Sequence, residues 1–232
     1  MAQNTFDLTT LNGTNGFIVE GATAGDDLGT AVSIFGDFNG DGLDDLVVSA
    51  PDGDPDNRSG AGEVYVVFGG GVDAIVDLGN LDGATFVRLD DVAALDYAGR
   101  ELTSLNAGGD FNGDGLADLI LGSITTDPNG VGAAGEAYVV FGASGAGLAE
   151  LSAGGIGFDL NELDGSEGFA LPGFDTNDGV SQSVSSAGDV NGDGIDDMII
   201  SVRNTSPEGR GNAGEAFVVF GSTDAQPAEI DL

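Results

Sequence analysis

Hydrophobic residues fall into short runs along this chain, and each run is bounded by Gly, Asp, Asn or Pro. In the first third of the chain these runs are Phe17–Glu20, Thr30–Phe35, Asp45–Ala50 and Glu63–Phe68. The third run contains Leu-Val-Val without interruption, which is typical of a strand buried on both faces. The fourth is β-branched and aromatic, as sheet surfaces prefer. Because no segment shows a capped helical period of apolar residues, the pattern predicts an all-β fold.

The same phrases recur at long intervals. Close copies of GDFNGDGLDDLVVSA begin at Gly36, Gly109 and Gly188, and copies of AGEVYVVFG end at Gly69, Gly142 and Gly221. The aspartates at 37, 110 and 189 are separated by 73 and 79 residues. A third phrase begins at Phe6, Val76 and Phe158, and Ile230-Asp231-Leu232 begins a fourth copy of it. We therefore divide the chain into repeats at 1–75, 76–157 and 158–232, the last carrying the start of a fourth.

Four short strands in each repeat are typical of one blade of a β-propeller. A parallel β-helix has much shorter repeats, and an immunoglobulin-like sandwich would not repeat internally this closely. Length differences fall between the phrases, in Arg100–Gly109 and Ala143–Gly157, where loops absorb them. We expect three four-stranded antiparallel blades, forming part of a propeller or a ring completed by oligomerisation.

The segment Asp37–Asp45 has the pattern of a cation-binding loop. Oxygen-bearing side chains stand at its positions 1, 3, 5 and 9, and Gly42 at position 6 permits a sharp turn where a Cβ would clash. Calcium takes six to eight hard oxygen ligands in flexible geometry, and a backbone carbonyl at position 7 adds one. We predict three calcium sites, one in each repeat, with ligands Asp37, Asn39, Asp41, the Leu43 carbonyl and Asp45; Asp110, Asn112, Asp114, the Leu116 carbonyl and Asp118; and Asp189, Asn191, Asp193, the Ile195 carbonyl and Asp197.

These loops differ from EF-hands, which need a Glu at position 12 and flanking helices. Position 12 here is apolar and lies inside a predicted strand. Magnesium tolerates such an irregular cage poorly. The alternative is a set of plain Asp/Asn/Gly turns, but three carboxylates within nine residues repel one another unless they are neutralised. Asp44 and Asp196 at position 8 are expected to be outward charges and not ligands.

Composition narrows the possible functions. The chain has 40 Asp and Glu, five Arg, and no Lys, His, Cys or Trp, which gives a formal charge of −35. Thiolate, His-based and Lys-based chemistry is therefore excluded. Such a negative chain repels nucleic acid and anionic membranes. No apolar run is long enough for a transmembrane helix, and no signal peptide is visible at the N-terminus. Glycosidases need a carboxylate pair, but every prominent acid is repeated, so we expect no enzyme.

These residues resemble the FG-GAP repeats of the integrin α-subunit propeller, and most closely the long bacterial versions. The motifs are the acidic loops, the Phe-Gly pairs ending at Gly69, Gly142 and Gly221, and Ser49-Ala50-Pro51 in the GAP slot. That slot departs from the pattern in the later repeats, at Gly122-Ser123-Ile124 and Ser201-Val202-Arg203. The resemblance implies a propeller with structural calcium, used for extracellular or cell-surface adhesion or protein recognition.

A closed propeller of that family has seven blades, whereas this chain carries three repeats. A three-blade arc would expose an apolar face at each end. The chain is therefore a fragment of a longer protein, a subunit of a ring formed by several copies, or an open arc with modified end faces. The first and last Asp-Leu phrases are equivalent pieces of one repeat, which makes head-to-tail pairing plausible.

The ligand is either a protein or a glycan. A lectin site requires an aromatic platform. Of Tyr65, Tyr97 and Tyr138, only Tyr97 does not occupy a position that recurs in every repeat. Tyr65 and Tyr138 share their slot with a Phe, so we expect packing there and a dispensable hydroxyl. The recurring Glu before that slot is expected to accept backbone N–H groups. A second acidic segment, Asp52–Asn57, is predicted to be a solvated turn.

Overall fold

The computed structural model describes residues 7–70, 73–80, 85–90, 105–151 and 157–232. Within these ranges the chain forms fourteen β-strands, one short α-helix and several 3₁₀ turns. The α-helix, α1, covers Ala146–Leu151. The strands are β1 Ile18–Glu20, β2 Val32–Phe35, β3 Asp45–Ala50, β4 Glu63–Val67, β5 Ile75–Asp77, β6 Phe86–Asp90, β7 Leu105–Gly109, β8 Asp118–Ser123, β9 Glu136–Val140, β10 Phe158–Asp159, β11 Gly168–Pro172, β12 Val180–Gly188, β13 Asp197–Val202 and β14 Glu215–Val219.

Three sheets contain most of these strands. Sheet 1 has the order β10-β6-β4-β3-β2, sheet 2 the order β11-β9-β8-β7, and sheet 3 the order β12-β13-β14. Their neighbouring strands are antiparallel, except that β10 runs parallel to β6. Strands β1 and β5 form a separate parallel pair. The mostly sheet architecture confirms the prediction of an all-β fold and is consistent with propeller-like blades.

The strand membership of the sheets differs from the prediction. The sequence pattern assigned the four runs of one repeat, including Phe17–Glu20, to one blade. In the structure β1 pairs with β5, and the strand next to β4 in sheet 1 is β6, which lies in the second sequence repeat. Sheet 2 likewise takes β11 from the third repeat. Sheets 1 and 2 are therefore each completed by a strand of the repeat that follows, because strand partners are chosen by tertiary packing and not by sequence proximity.

The number of strands also differs among the sheets. We expected three four-stranded antiparallel blades, but sheet 1 has five strands and sheet 3 has three among the described residues. The fifth strand of sheet 1, β10, begins the repeat that follows β6. In sheet 2 the same place is taken by the chain near Ile230, whose N–H donates to the carbonyl of Ala170 at 2.9 Å. The residues around Ile230 therefore lie beside sheet 2 as β10 lies beside sheet 1.

The sheets stack face to face, with their first strands side by side. Strand β2 contacts β7, and β7 contacts β12. A buried apolar cluster joins sheets 1 and 2 and includes Val47 and Val66 from one and Leu119 and Leu121 from the other. A second cluster joins sheet 2 to sheet 3, and a third lies between sheet 1 and the β1–β5 pair. This arrangement places the turns after β2, β7 and β12 in one row.

Helix α1 lies inside the Ala143–Gly157 insertion, where the sequence pattern predicted no helix. Its Ala, Leu and Glu residues favour a helix there. No helix in the described part of the chain is long and apolar enough to cross a membrane. Phe6, Tyr97 and Arg100, which entered the sequence arguments, lie outside the described residues.

Candidate metal-binding loops

The three acidic loops occupy equivalent places in the three sheets. Each connects the first strand of a sheet to the second, across 36–44 between β2 and β3, 110–117 between β7 and β8, and 189–196 between β12 and β13. The last acid of each loop is the first residue of the second strand. All fifteen predicted ligand residues lie within the described chain, and each set of five falls in a single loop.

The acid at position 1 organises the turn. Asp37 Oδ1 accepts the backbone N–H groups of Gly40 at 2.7 Å and Asp41 at 3.0 Å, and its Oδ2 accepts that of Gly42 at 2.7 Å. Asp110 accepts two of the equivalent N–H groups, and Asp189 accepts all three. Each carboxylate therefore faces the inside of its own loop.

Positions 3, 5 and 7 are linked in the same way. Asn39 Oδ1 accepts the N–H of Asp41 at 2.9 Å, and Asn39 Nδ2 donates to Asp41 Oδ2 at 3.3 Å. Asp41 Oδ1 accepts the N–H of Leu43 at 2.9 Å. The second loop repeats these bonds at Asn112, Asp114 and Leu116, and the third repeats them at Asn191, Asp193 and Ile195.

Two glycines in each loop have left-handed backbone conformations. At position 6, Gly42, Gly115 and Gly194 have φ of +87°, +89° and +92°, and a Cβ there would meet no atom within 4 Å. Glycine is needed for its φ, because at that φ a Cβ crowds the adjacent backbone and not a distant part of the chain. The glycines at position 4 also have positive φ, a requirement that the sequence argument did not include.

The acid at position 9 is fully buried. Asp45, Asp118 and Asp197 have no solvent-exposed surface. Their Oδ2 atoms accept the N–H of the residue at position 2, which are Phe38 at 2.8 Å, Phe111 at 2.7 Å and Val190 at 2.7 Å. Each Oδ1 accepts the backbone N–H of the glycine in a Phe-Gly pair, 24 residues further along the chain. This acid therefore ties the acidic loop to the Phe-Gly pair.

The Phe-Gly glycines were not predicted as part of the site. Gly69, Gly142 and Gly221 donate to Asp45, Asp118 and Asp197 at 2.7, 2.9 and 3.1 Å. A Cβ on any of them would lie 2.2 to 2.7 Å from the carbonyl oxygen at position 8 of the loop. Glycine at this place lets the strand approach the loop closely. The recurring spacing of the two phrases in the sequence was the only signal of this contact.

The loops concentrate negative charge, and no arginine in the described ranges forms an ion pair with them. Burial raises the pKa of the Asp118 carboxyl to about 8, the N–H donors of Gly142 and Phe111 oppose that shift, and the charges of Asp114 and Asp110 add to it. Burial also raises the pKa of Asp45. Among the described residues, the ion pairs of Arg58, Arg88 and Arg210 involve no acid of these loops.

Each of the first two loops also contacts the next sheet. The carbonyls of Asp37 and Phe38 accept the N–H groups of Ala117 and Ala143 at 2.9 and 2.8 Å. The carbonyls of Asp110 and Phe111 accept those of Asp196 and Ser222 at 3.2 and 2.9 Å. Asp196 Oδ2 also accepts the N–H of Asp110 at 3.2 Å, so this side chain has a partner and is not simply an outward charge. Asp44, by contrast, is exposed.

The donor set fits a hard divalent cation. Each loop supplies three carboxylates, one amide oxygen and a carbonyl, which are the ligand types that calcium prefers. Each carboxylate oxygen has two lone pairs, so it can accept an N–H hydrogen bond and bind a metal at the same time. Across the described ranges, however, no three acidic side chains already converge as a metal site. Binding would therefore require the acids at positions 1, 5 and 9 to turn from their present partners toward a common point.

Two other repeated features are structural. The hydroxyls of Tyr65 and Tyr138 donate to Glu63 and Glu136 at 2.6 and 2.7 Å, so the Glu side chains accept from tyrosine and the phenol is used. The equivalent Glu215 is exposed beside Phe217. The 3₁₀ turns Pro55–Asn57, Pro128–Gly130 and Pro207–Gly209 share one conformation with a positive φ at their second residue, and Asp54 Oδ1 accepts the N–H of Gly60 across the first of these turns.

Comparison with known protein families agrees with this organisation. A model described as FG-GAP repeat matches residues 28–67 and 182–219. The first match contains β2, β3 and β4 with the loop at 36–44, and the second contains most of β12 with β13, β14 and the loop at 189–196. No curated protein matches the chain. The matched segments each consist of one acidic loop and the strands that it connects.

Proposed function

We propose that this chain, which carries two FG-GAP repeats of the type found in integrin-like propeller modules, binds calcium at its three acidic loops and acts in recognition. Calcium would have a structural role, and the sheets would present a binding surface to a protein outside the cell or on its surface. The two matched repeats and the stacked sheets support the propeller-like module.

The observation that carries the proposal is the full burial of Asp45, Asp118 and Asp197 at the end of loops that hold two further acids each. A buried carboxylate is costly unless a cation or several hydrogen bonds stabilise it. Asp45 and Asp118 each accept from two N–H donors and Asp197 from three, yet two other acids stand a few residues before each of them in the same loop. The same arrangement occurs three times, which favours a common cation over three unrelated turns.

The residues that would hold the ion are those at positions 1, 3, 5, 7 and 9, including the carbonyl at position 7. When bound, calcium supplies positive charge that several oxygens share. The chain's own groups orient the loop, since the glycines at positions 4 and 6 provide the turn and the Phe-Gly N–H holds the last acid. Calcium suits this set better than magnesium because magnesium requires near-ideal octahedral geometry.

A recognition role is supported by what the acids share. The acidic loops are repeated in each of the three sheets, whereas catalysis normally uses one asymmetric site. The charge of −35 disfavours nucleic acid and anionic membranes as partners. A protein partner also agrees with the known use of integrin-like modules.

Carbohydrate binding is the alternative function. It requires an accessible aromatic platform, but Tyr65 and Tyr138 are both about 1% exposed. Tyr97 lies outside the described residues. We therefore favour protein recognition, and a glycan array with the chain in calcium provides the direct comparison.

Thermal unfolding with calcium, with magnesium and with a chelator tests the structural role of the ion. A ligand at 100 times its dissociation constant adds about 2.7 kcal/mol for each site, which is about 5–10 °C in Tm for a chain of this size. We expect calcium to raise the Tm well above its value in chelator and magnesium to do so much less. An identical Tm in calcium and in chelator would contradict the proposal.

A matched pair of variants separates ligation from general charge. Substituting Asn at Asp41, Asp114 and Asp193 removes one ligand charge from each loop. The control places Asn at Asp44, Asp73 and Asp224, three exposed acids outside the ligand positions. The first variant is expected to lose most of the calcium-dependent rise in Tm, and the control is expected to keep it.

A further inference from the structure

Two contacts between sheets within this chain use equivalent residues. We call the side of a sheet that faces the following sheet its back face, and the opposite side its front face. The back face of sheet 1 contributes Phe38, Val47, Val66 and Phe68 to its contact with sheet 2. The back face of sheet 2 contributes the equivalent residues to its contact with sheet 3, namely Phe111, Ile120, Val139 and Phe141. All eight are at most 6% exposed.

The back face of sheet 3 carries the same apolar set but is open. Its residues are Val190, Ile199, Val218 and Phe220, each equivalent by repeat position to one of the buried residues above. Val190 is 60% exposed and Phe220 57%, and the other two are also exposed. Nothing in the described part of the chain covers this face.

The front face of sheet 1 is also open along its first two strands. In sheet 2 the front face holds Leu105, Leu119 and Leu121, all buried against sheet 1. The equivalents in sheet 1 are Val32, Leu46 and Val48, which line an open groove with Ile34; Val48 is itself buried, and Leu46 packs partly against the cluster beside the β1–β5 pair. Val32 is 59% exposed and Ile34 70%. The chain thus has one open front face and one open back face of matching composition.

The strands at the two ends of the stack are also incomplete. β14 has no partner on its outer edge within the described residues, whereas its equivalents β4 and β9 pair with β6 and β11. β1 is the repeat equivalent of β6 and β11, and it runs parallel to β5 as β6 does to β10. β1 is therefore an outer strand that lacks an inner sheet, and sheet 3 is an inner sheet that lacks an outer strand.

We propose that a second copy of this chain docks head to tail on sheet 3. Its sheet 1 covers the open back face, and its β1–β5 pair completes the sheet beside β14. The two internal contacts define the register, because Phe169 lies opposite Val139 and Ala170 opposite Tyr138. By equivalence, Phe17 of the second copy lies opposite Val218, and Ile18 lies opposite Phe217.

The same docking supplies hydrogen-bond donors to two backbone carbonyls in the acidic loop of sheet 3. In the first two loops the carbonyls at positions 1 and 2 accept N–H groups from the next sheet, at position 8 of its loop and just after its Phe-Gly pair. The equivalent donors on a second copy are the N–H groups of Asp44 and Gly70. Their acceptors are the carbonyls of Asp189 and Val190. One pose therefore covers both apolar faces, pairs the free strand edge and provides these hydrogen bonds.

A second copy is favoured over an unrelated protein because all three features require repeat-equivalent partners, which this chain itself carries. The contact is heterologous, so it joins a front face to a back face and can close a ring. Each copy has a charge of −35, so the copies repel one another at low ionic strength. Assembly should therefore strengthen with salt, as expected for an apolar contact between like-charged molecules.

Solution mass across concentration, in calcium and at moderate salt, is the first test. The proposal predicts a mass of at least twice the 23.0 kDa of one chain. Ile34→Asp and Phe220→Asp each place a charge on one of the two exposed faces, so each variant should fold and remain monomeric. Asn161→Asp adds the same charge at an exposed site on neither face and should assemble like the unmodified chain. A monomeric unmodified chain at high concentration would overturn the proposal.

Mixing the two monomeric variants tests the head-to-tail polarity. Ile34→Asp keeps an intact back face, and Phe220→Asp keeps an intact front face. The mixture should therefore form a pair of twice the single mass, although neither variant does so alone. A mixture that stays monomeric while the unmodified chain assembles would show a different contact and would also overturn the proposal.

Engineered cysteines test the strand register, because the chain contains none of its own. Opposed residues in an antiparallel pair lie within disulfide range. Mixing Ile18→Cys with Phe217→Cys under mild oxidation should give a covalent dimer absent from either variant alone. Equal yields from the single variants would contradict this register. Neither outcome depends on whether the acidic loops bind calcium.

Discussion

Asp118 accepts the backbone N–H of Gly142 through Oδ1 at 2.9 Å, across 24 positions of sequence. The bond joins the end of an acidic loop to a Phe-Gly pair, and both other sheets repeat it. The two phrases that identify the repeat in sequence are thus one structural unit. The glycine brings the strand close, and the buried acid holds it there.

We predict that Gly142→Ala destabilises the protein by about 1–3 kcal/mol, because its Cβ would lie 2.7 Å from the carbonyl oxygen of Ala117. Gly211→Ala is the control, since a Cβ there meets nothing within 4 Å and its φ is not positive. The control should change the free energy of unfolding by less than about 1 kcal/mol. Urea denaturation measures both, and equal effects would refute the close-approach argument.

The Tyr65–Glu63 hydrogen bond should contribute to stability. Glu63 is buried, and burial raises its pKa while the Tyr65 hydroxyl and Arg88 lower it. Tyr65→Phe removes one partner of a buried acid and should cost about 1–3 kcal/mol. Phe217→Tyr is the matched reverse change beside the exposed Glu215 and should be nearly neutral. A Tyr65→Phe variant as stable as the unmodified chain would show that the hydroxyl is dispensable.

Arg88 neutralises two buried acids. It donates to Asp90 at 2.6 and 2.8 Å and lies 3.4 Å from Glu63. Arg88→Met would leave both carboxylates without their cation, at a cost of about 3–5 kcal/mol. Arg210→Met breaks an exposed pair with Glu208 and should cost less than about 1 kcal/mol. Chemical unfolding of the two variants in one buffer provides the comparison. Similar losses of unfolding free energy would count against a role for burial.

A single loop tests the ligand assignment. Asp41→Asn removes a predicted ligand charge, and Asp44→Asn removes an equal charge three residues away, at an exposed position outside the ligand set. We expect the first to weaken calcium binding at that loop by at least about tenfold, or 1.4 kcal/mol, and the second by much less. Calcium titrations of both variants measure the difference. Equal weakening would indicate a general charge effect instead of ligation.

The sequence pattern located the strands and the acidic loops, because alternation, apolar runs and Gly/Asp turns are local signals. It could not show that Phe17–Glu20 pairs with β5, since the outer strand's partner is selected by packing between distant segments. It also missed the role of Gly142, whose neighbour Ala117 lies in another part of the repeat. The fifteen predicted ligand residues lie five to a loop, as their spacing in the sequence requires, while the backbone partners of Asp45, Asp118 and Asp197 required coordinates.

Calorimetric titration of calcium into the chelator-treated chain tests the central claim most directly. The account predicts saturable binding with a stoichiometry of about three ions per chain, set by the three loops. Magnesium at the same concentration should bind far more weakly. Absence of any calcium binding heat across a range of temperatures, with the chain shown to be folded, would contradict it.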